Sequence, residues 1–213
     1  MTIKRWGACA AILDSKLIVM GGTSNHGSAT LKSCEMYDPV KKHWHSFPSM
    51  TIKRSDACAA VLDGNLIVIG GHDTKTLKSC EMYDPVKKQW RSIPDMITER
   101  SGACAAVVNG KVHVMGGDDE TDTNLKSCEM YDPVQEHWCS IPDMTTERWG
   151  ACAAAVDDKV IVMGGVDHTG LGLKSCELYN PMGKKRSPAS VWSKGTKGHG
   201  QKRDAKKRQR ERE

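Results

Sequence analysis

At 213 residues the chain is long enough for one sizeable core or two small ones. Its net charge of +5 is uneven: Met182–Glu213 holds 12 Lys or Arg against 3 Asp or Glu, while the residues before it hold 19 against 23. A mildly acidic body therefore precedes a basic tail, which argues against a nucleic-acid-binding body. No apolar run approaches the ~18 residues that span a bilayer, and Met1–Gly7 lacks the apolar core of a secretory signal, so a soluble intracellular chain without a membrane partner is expected.

The elements recur. The first unit, residues 1–49, opens on Met1-Thr2-Ile3-Lys4-Arg5, matched residue for residue by Met50–Arg54. An Ala-Cys-Ala-Ala run with an apolar residue after it is the first expected strand, as in Ala103–Val108 of the third unit. Asp14-Ser15, Asp63-Gly64, Asn109-Gly110 and Asp157-Asp158 follow it, and each suits a two-residue hairpin turn with positive φ at both positions. The second strand, Lys16–Met20 or Lys111–Met115, closes on a glycine pair: Gly21-Gly22, Gly70-Gly71, Gly116-Gly117 or Gly164-Gly165. The third lies in the string Leu-Lys-Ser-Cys-Glu-Met-Tyr-Asp-Pro-Val, present at Leu31–Val40, Leu77–Val86 and Leu125–Val134, and altered at Leu173–Met182. Its Asp-Pro is turn chemistry, since Pro presets φ. The fourth carries Trp44, Trp90 or Trp138, seven residues after Tyr37, Tyr83 or Tyr131. No segment shows a sustained 3.6-residue apolar period, so no helices are expected.

Four short strands repeated every 46 to 48 residues, measured between the tyrosines, predict an all-β propeller of four four-stranded blades, partial or open. The units are 1–49, 50–95, 96–143 and 144–181, with 182–213 as a basic, disordered tail. The combination of Gly-Gly, Tyr and Trp resembles the kelch repeat over nearly all of Met1–Pro181. That resemblance implies antiparallel blades around a central channel. It also implies a role in binding partners, often substrates presented to cullin-type ubiquitin ligases. The recruiting domain such a role needs has no counterpart in this sequence.

The pattern breaks at both ends. The chain begins in mid-phase, and the residue seven places after Tyr179 is Arg186, with Trp192 six further on. Two readings stand: a four-bladed ring or open array that closes on another chain, and a fragment of a larger propeller with a foreign tail. Unpaired blade edges would favour self-association.

Eight of the nine cysteines occupy two repeat positions: Cys9, Cys58, Cys104 and Cys152 on the first strand, and Cys34, Cys80, Cys128 and Cys176 on the third. Strands one and three of a sheet lie roughly 9.6 Å apart, beyond the ~7 Å a disulfide tolerates. With no Cys-x-x-Cys motif, the thiols read as small apolar filler rather than zinc ligands, and Cys139 reads as an exposed thiol. His43 and His45 form a lone His-x-His that the second repeat replaces with Gln89 and Arg91. His113 stands where other repeats have Ile18, Ile67 and Ile161; it reads as a channel-facing polar group or a hydrogen-bonded structural histidine. The glycine pairs lack the context of a phosphate loop. Arg5, Arg54, Arg100 and Arg148 recur too faithfully to specify one ligand, and are expected to orient the blades by hydrogen bonds. No metal and no cofactor is expected.

Specificity belongs where the repeats differ. One variable loop follows the glycine pair, with Thr23, Asn25, His72, Asp73, Asp118, Asp119, Asp167 and His168. The other follows the repeated arginine, with Trp6, Ser55, Asp56, Ser101 and Trp149. In kelch proteins these border one end of the channel, and the resemblance makes them the partner-binding rim. It is acidic, rich in hydroxyls and has two Trp anchors, which suits a basic or aromatic-bearing protein or peptide. The function expected is a non-catalytic interaction module, as a substrate-recognition subunit or scaffold. The alternative is a propeller enzyme of oxidase, epimerase or specifier type, for which Asp119, Glu120, Asp167, His168 and His113 at the channel mouth are raw material. Lys202-Arg203, Lys206-Lys207-Arg208, Arg210 and Arg212 make the tail a nuclear-import or nucleic-acid patch, or a plain solvated tail. Location is expected to be cytoplasmic, with a nuclear option through the tail.

Overall fold

A computed structural model of the chain describes residues 1–24, 29–182 and 192–194. Among these residues every regular element is a strand. Blade 1 comprises β1 (Cys9–Leu13), β2 (Lys16–Met20), β5 (Cys34–Asp38) and β6 (His43–Phe47), with a small hairpin, β3 (Thr23–Ser24) and β4 (Ala29–Thr30), on its loop. Blade 2 comprises β7 (Cys58–Leu62), β8 (Asn65–Ile69), β9 (Cys80–Asp84) and β10 (Gln89–Ile93). Blade 3 comprises β11 (Cys104–Val108), β12 (Lys111–Met115), β13 (Cys128–Asp132) and β14 (His137–Ile141). Blade 4 comprises β15 (Cys152–Val156), β16 (Lys159–Met163), β17 (Cys176–Tyr179) and β18 (Trp192–Lys194).

The turns explain the register. Asn109 and Gly110 have φ of 52° and 67°, and Asp63 and Gly64 have 49° and 74°, so both central residues are left-handed as a type I′ hairpin requires. After the third strand, Asp84 Oδ1 accepts the Val86 and Lys87 amides at 2.9 and 3.0 Å, a local side-chain turn that Pro cannot disturb. These devices set Tyr37 opposite Trp44, Tyr83 opposite Trp90 and Tyr131 opposite Trp138. The rings of Tyr83 and Trp90 sit 5.4 Å apart at 54°, a tilted arrangement favourable to two aromatic quadrupoles.

The end of the fourth blade differs from the expectation. Trp192 is opposite Tyr179, in the register of the other three Tyr–Trp pairs, so the blade takes its outer strand from beyond the boundary at 181. Trp192 follows Tyr179 by thirteen residues instead of seven, and the pairing is kept. The remainder of the expected tail, and Asn25, lie outside the described residues.

Alternation along the strands gives each blade two apolar faces, each the partner of a neighbouring blade. Cys9, Leu13, Ile18 and Met20 of blade 1 pack on Leu66, Val68 and Tyr83 of blade 2. The same contact recurs between blades 2 and 3 and between blades 3 and 4. The innermost strands β1, β7, β11 and β15 pack side by side in that order, and among the described residues β15 makes no comparable contact with β1. Leu17 is 37 % exposed where its blade 2 equivalent Leu66 is 0 %, and Met163 is 41 % exposed where Met115 of blade 3 is 1 %.

All nine cysteines are free thiols. Six of the repeat positions are buried between blades, while Cys176 is half-buried and Cys152 exposed on the open face of blade 4. Cys139 is half-buried rather than exposed.

Candidate functional site

The rim begins with a buried clamp. Arg54 Nη1 donates to the carbonyls of Gly70 and Ser79 at 2.8 and 2.7 Å, and its Nη2 donates to Ser79 Oγ and Glu81 Oε1 at 3.0 and 3.1 Å. Arg100 repeats this with Gly116, Ser127 and Glu129, and Arg148 with Gly164, Ser175 and Glu177. Charge-assisted bonds of this kind hold a segment in one geometry. The glutamate also accepts the amides three and two places before the arginine, as Glu129 does from Ile97 and Thr98 at 2.7 and 3.0 Å. In blade 1 burial alone would raise the Glu35 carboxyl, but hydrogen bonds from Thr2, Arg5 and Ile3 outweigh it and hold it down at about 2. The repeated arginines therefore orient the blades, as expected.

The clamp brings the two variable loops together. The residue after each arginine pairs with the residue after each glycine pair: Trp6 with Thr23, Ser55 with His72, Ser101 with Asp118, and Trp149 with Val166. The next residue links blade to blade. Asp56 N donates to Gly7 O at 2.7 Å, Gly102 N to Asp56 O at 2.8 Å, and Gly150 N to Gly102 O at 2.8 Å. All four of these residues have positive φ, and Asp56, at 51°, is the one that is not glycine. A strip of backbone thus runs from blade to blade beside the paired loops.

The candidate residues separate into three groups. Ser55 and Ser101 are buried, and the Ser55 hydroxyl donates to the His72 carbonyl at 3.3 Å, so they are supports rather than contacts. Asp119 and Asp167 bind their own loops: Asp119 Oδ1 accepts the Thr121 amide at 2.8 Å and its hydroxyl at 2.7 Å, and Asp167 Oδ1 accepts the Thr169 amide at 2.9 Å. Hydrogen bonds from those threonines lower both carboxyls. Trp6, His72 and His168 are exposed, and Thr23, Asp56, Asp73, Asp118 and Trp149 are half-buried. Burial raises the Asp56 carboxyl against the opposing effects of Ser55 and His72.

Between blades 3 and 4 the rim opens into a cleft of about 410 Å³, lined by Asp118, Asp122, Asn124, Trp149, Asp167 and His168 among others. Burial raises Asp118, opposed by Ser101 and reinforced by Asp122 and Asp56. Glu147 pairs with His168 at the cleft's edge; hydrogen bonds from its own backbone and from His168 lower the Glu147 carboxyl. Asp122, Asn124 and Glu147 were not among the residues singled out from sequence. Asp122 and Asn124 sit in the post-glycine loop 118–124, which is longer than the 72–76 loop of blade 2, and loop length was the available signal.

His113 does not face the channel. It lies on the blade 3 face that packs against blade 4, with its ring 5.7 Å from that of Tyr179. Neither ring nitrogen meets a partner in hydrogen-bond geometry, although the Lys111 backbone lies close enough to favour the protonated ring. Burial lowers its pKa. Thiol chemistry is also remote from the rim: burial pushes Cys9, Cys34, Cys80, Cys104 and Cys128 up to about 12, which keeps them protonated. Among the described residues no three His, Cys, Asp or Glu side chains are grouped to hold a metal ion.

With this geometry in place, comparison with known proteins is specific. The KLHDC2/KLHL20/DRC7 Kelch-repeats domain matches residues 2–117, and the Kelch motif matches residues 99–145 and 148–190. The chain belongs to the kelch-repeat family. A comparison with curated proteins gives no match. Among solved structures, the one described as "Structure of YjhT" is similar at a TM-score of 0.77 and 17 % identity. The likeness covers 92 % of this kelch chain and 66 % of that one, so the chain spans just under two thirds of its length. At that identity the likeness concerns the fold alone. The kelch assignment accounts for the clamp, the glycine pairs and the Tyr–Trp pairs as the framework of the blades. What varies from repeat to repeat is the rim.

Proposed function

We propose that this kelch array is a non-catalytic interaction module that holds a partner protein or peptide against its loop rim, as a substrate-recognition subunit or scaffold. The observation that carries the reading is the cleft between blades 3 and 4. It gathers Asp118, Trp149, Asp167 and His168 from the two variable loops into one concave, acidic surface with an aromatic wall. Concave sites with a few convergent polar groups favour ligand capture, and tryptophan is enriched among the residues that dominate binding. The acidic lining suits a basic partner.

A display library of random heptapeptides, panned against the 213-residue chain, tests this. Specific sequences should be enriched, and enrichment should disappear in a variant carrying Trp6→Ser, Trp149→Ser and Asp122→Asn whose far-UV circular dichroism matches the parent. No enrichment by the parent, or equal enrichment by the variant, would overturn the reading.

A further inference from the structure

Among the described residues, bonding capacity is left unmet where Asp118 and Trp149 meet, next to Arg148. Asp118 Oδ1 is shielded from water and accepts no hydrogen bond, although a buried carboxylate oxygen without a partner is costly. Trp149 forms the adjoining wall. Its indole lies across Gly102, where even a Cβ would come within 2.2–2.6 Å of ring atoms, and its Nε1 is likewise shielded without an acceptor. The backbone bond from Gly150 to Gly102 at 2.8 Å fixes the segment that carries the indole. Asp122 adds a second carboxylate to the same cleft.

Among the described residues lining the cleft, none neutralises these groups, and none is Lys or Arg. Its one basic side chain, His168, is engaged by Glu147, and Asp167 directs Oδ1 to Thr169. The site therefore combines a carboxylate partly removed from water, a second carboxylate and a rigid aromatic surface. A cation that is flat, weakly hydrated and able to fork two bonds to a carboxylate fits all three. Guanidinium has those properties, whereas ammonium is a strongly hydrated point charge. An aromatic face adds attraction for either cation, more often realised with arginine.

We propose that the cleft between blades 3 and 4 is the subsite for an arginine side chain of the partner, its guanidinium facing Asp118 and Asp122 and its plane against the Trp149 indole. The proposal rests on the rim reading above and names the chemistry of its ligand. Asp118 and Trp149 are binding residues in it, and Asp122 contributes long-range attraction.

The test pans the same heptapeptide library against the parent chain and against Asp118→Asn. Arginine should dominate one position among the parent's binders. A binder resynthesised with citrulline at that position, which keeps the shape and removes the charge, should bind at least tenfold more weakly. Asp118→Asn should lose the same factor for the arginine peptide and little for the citrulline one, with an unchanged thermal midpoint. If Asp118→Asn does not fold, Asp122→Asn serves, with a smaller loss in the same direction and a weaker dependence on salt. Binders without an arginine position, or an arginine preference unchanged in both variants, would overturn the subsite and leave the rim reading standing. No binders at all would overturn both.

Discussion

His113 stands where the other blades carry isoleucine, and the substitution has a thermodynamic consequence. Its imidazole is buried at the interface between blades 3 and 4, beside Tyr179, with both ring nitrogens unpartnered. An unmade hydrogen bond at a buried polar group costs about 1–3 kcal/mol. Replacing His113 with Ile, as at Ile18 and Ile67, should therefore stabilise the chain by about 1–2 kcal/mol near neutral pH, measured as a shift of the urea midpoint. The pH dependence has a definite sign. Burial lowers the folded-state pKa of His113, so below the unfolded value of about 6.5 the unfolded chain binds the extra proton first. Stability is complete above that value and falls as pH drops through it. The gain from His113→Ile should accordingly be larger at pH 5 than at pH 7.5. An equal gain at both would mean that the imidazole is already solvated in the folded state. Lys111 acts in both senses, its backbone favouring the protonated ring and its charge disfavouring it, and burial outweighs both.

At the scale of the element, the arginine–glutamate clamps join each connecting segment to its blade. Glu129 and Arg100 are both almost wholly buried, 2.9 Å apart. Removing one member of such a pair leaves the other as an uncompensated buried charge, at about 3–5 kcal/mol. Glu129→Ala should lower stability by that amount in chemical denaturation, and Lys126→Ala, on the exposed side of the same loop, should change it by less than about 0.5 kcal/mol. A similar small loss in both would show that the clamp is solvated. These strands and turns were legible in the sequence because four copies report the same structure: the left-handed pairs Asn109-Gly110 and Asp63-Gly64, the third strand and the Tyr–Trp register all recur. Where a copy departs, legibility ends. Trp192 lies thirteen residues after Tyr179 instead of seven, so a fixed period misses the strand that restores the pairing. The orientation of His113 could have been read from strand parity, since Cys104 is opposite Met115 and His113 lies two residues before Met115 on the same face. The cleft was only half legible. Asp118, Trp149, Asp167 and His168 were named from the two variable loops, but Asp122 and Asn124 stand deeper in the same loop, where blade 4 has Gly170 and Gly172. Neither the burial of Ser55 and Ser101 nor the inward bonds of Asp119 and Asp167 can be read from residue type, because a hydroxyl or carboxylate serves a turn and a ligand equally well.

For the whole molecule, the decisive feature is that the inter-blade interface is used three times inside the chain and left half-made at each end. Blade 1 presents Ile12, Leu17, Val19 and Tyr37, whose equivalents in blade 2 pack against a preceding blade; blade 4 presents Val156, Ile161, Met163 and Leu178, whose equivalents in blade 3 pack against a following one. The rim shows the same asymmetry. Trp149 rests on Gly102 of the preceding blade, whereas Trp6, its counterpart in blade 1, has no preceding blade beneath it and is 66 % exposed. Apolar sheet faces of this kind are association sites, and each of the two is shaped by repetition to receive a kelch blade. The 213-residue chain is therefore expected to associate as its concentration rises and to bind a hydrophobic dye while folded. Leu17→Lys and Met163→Lys should each reduce association in sedimentation velocity and leave the thermal midpoint within a few degrees, because both side chains are at open faces. The same change at Leu66 or Met115 places a charge in a closed interface and should prevent folding. A parent chain that sediments as one compact species at all concentrations, without dye binding, would show that the two faces are closed in solution.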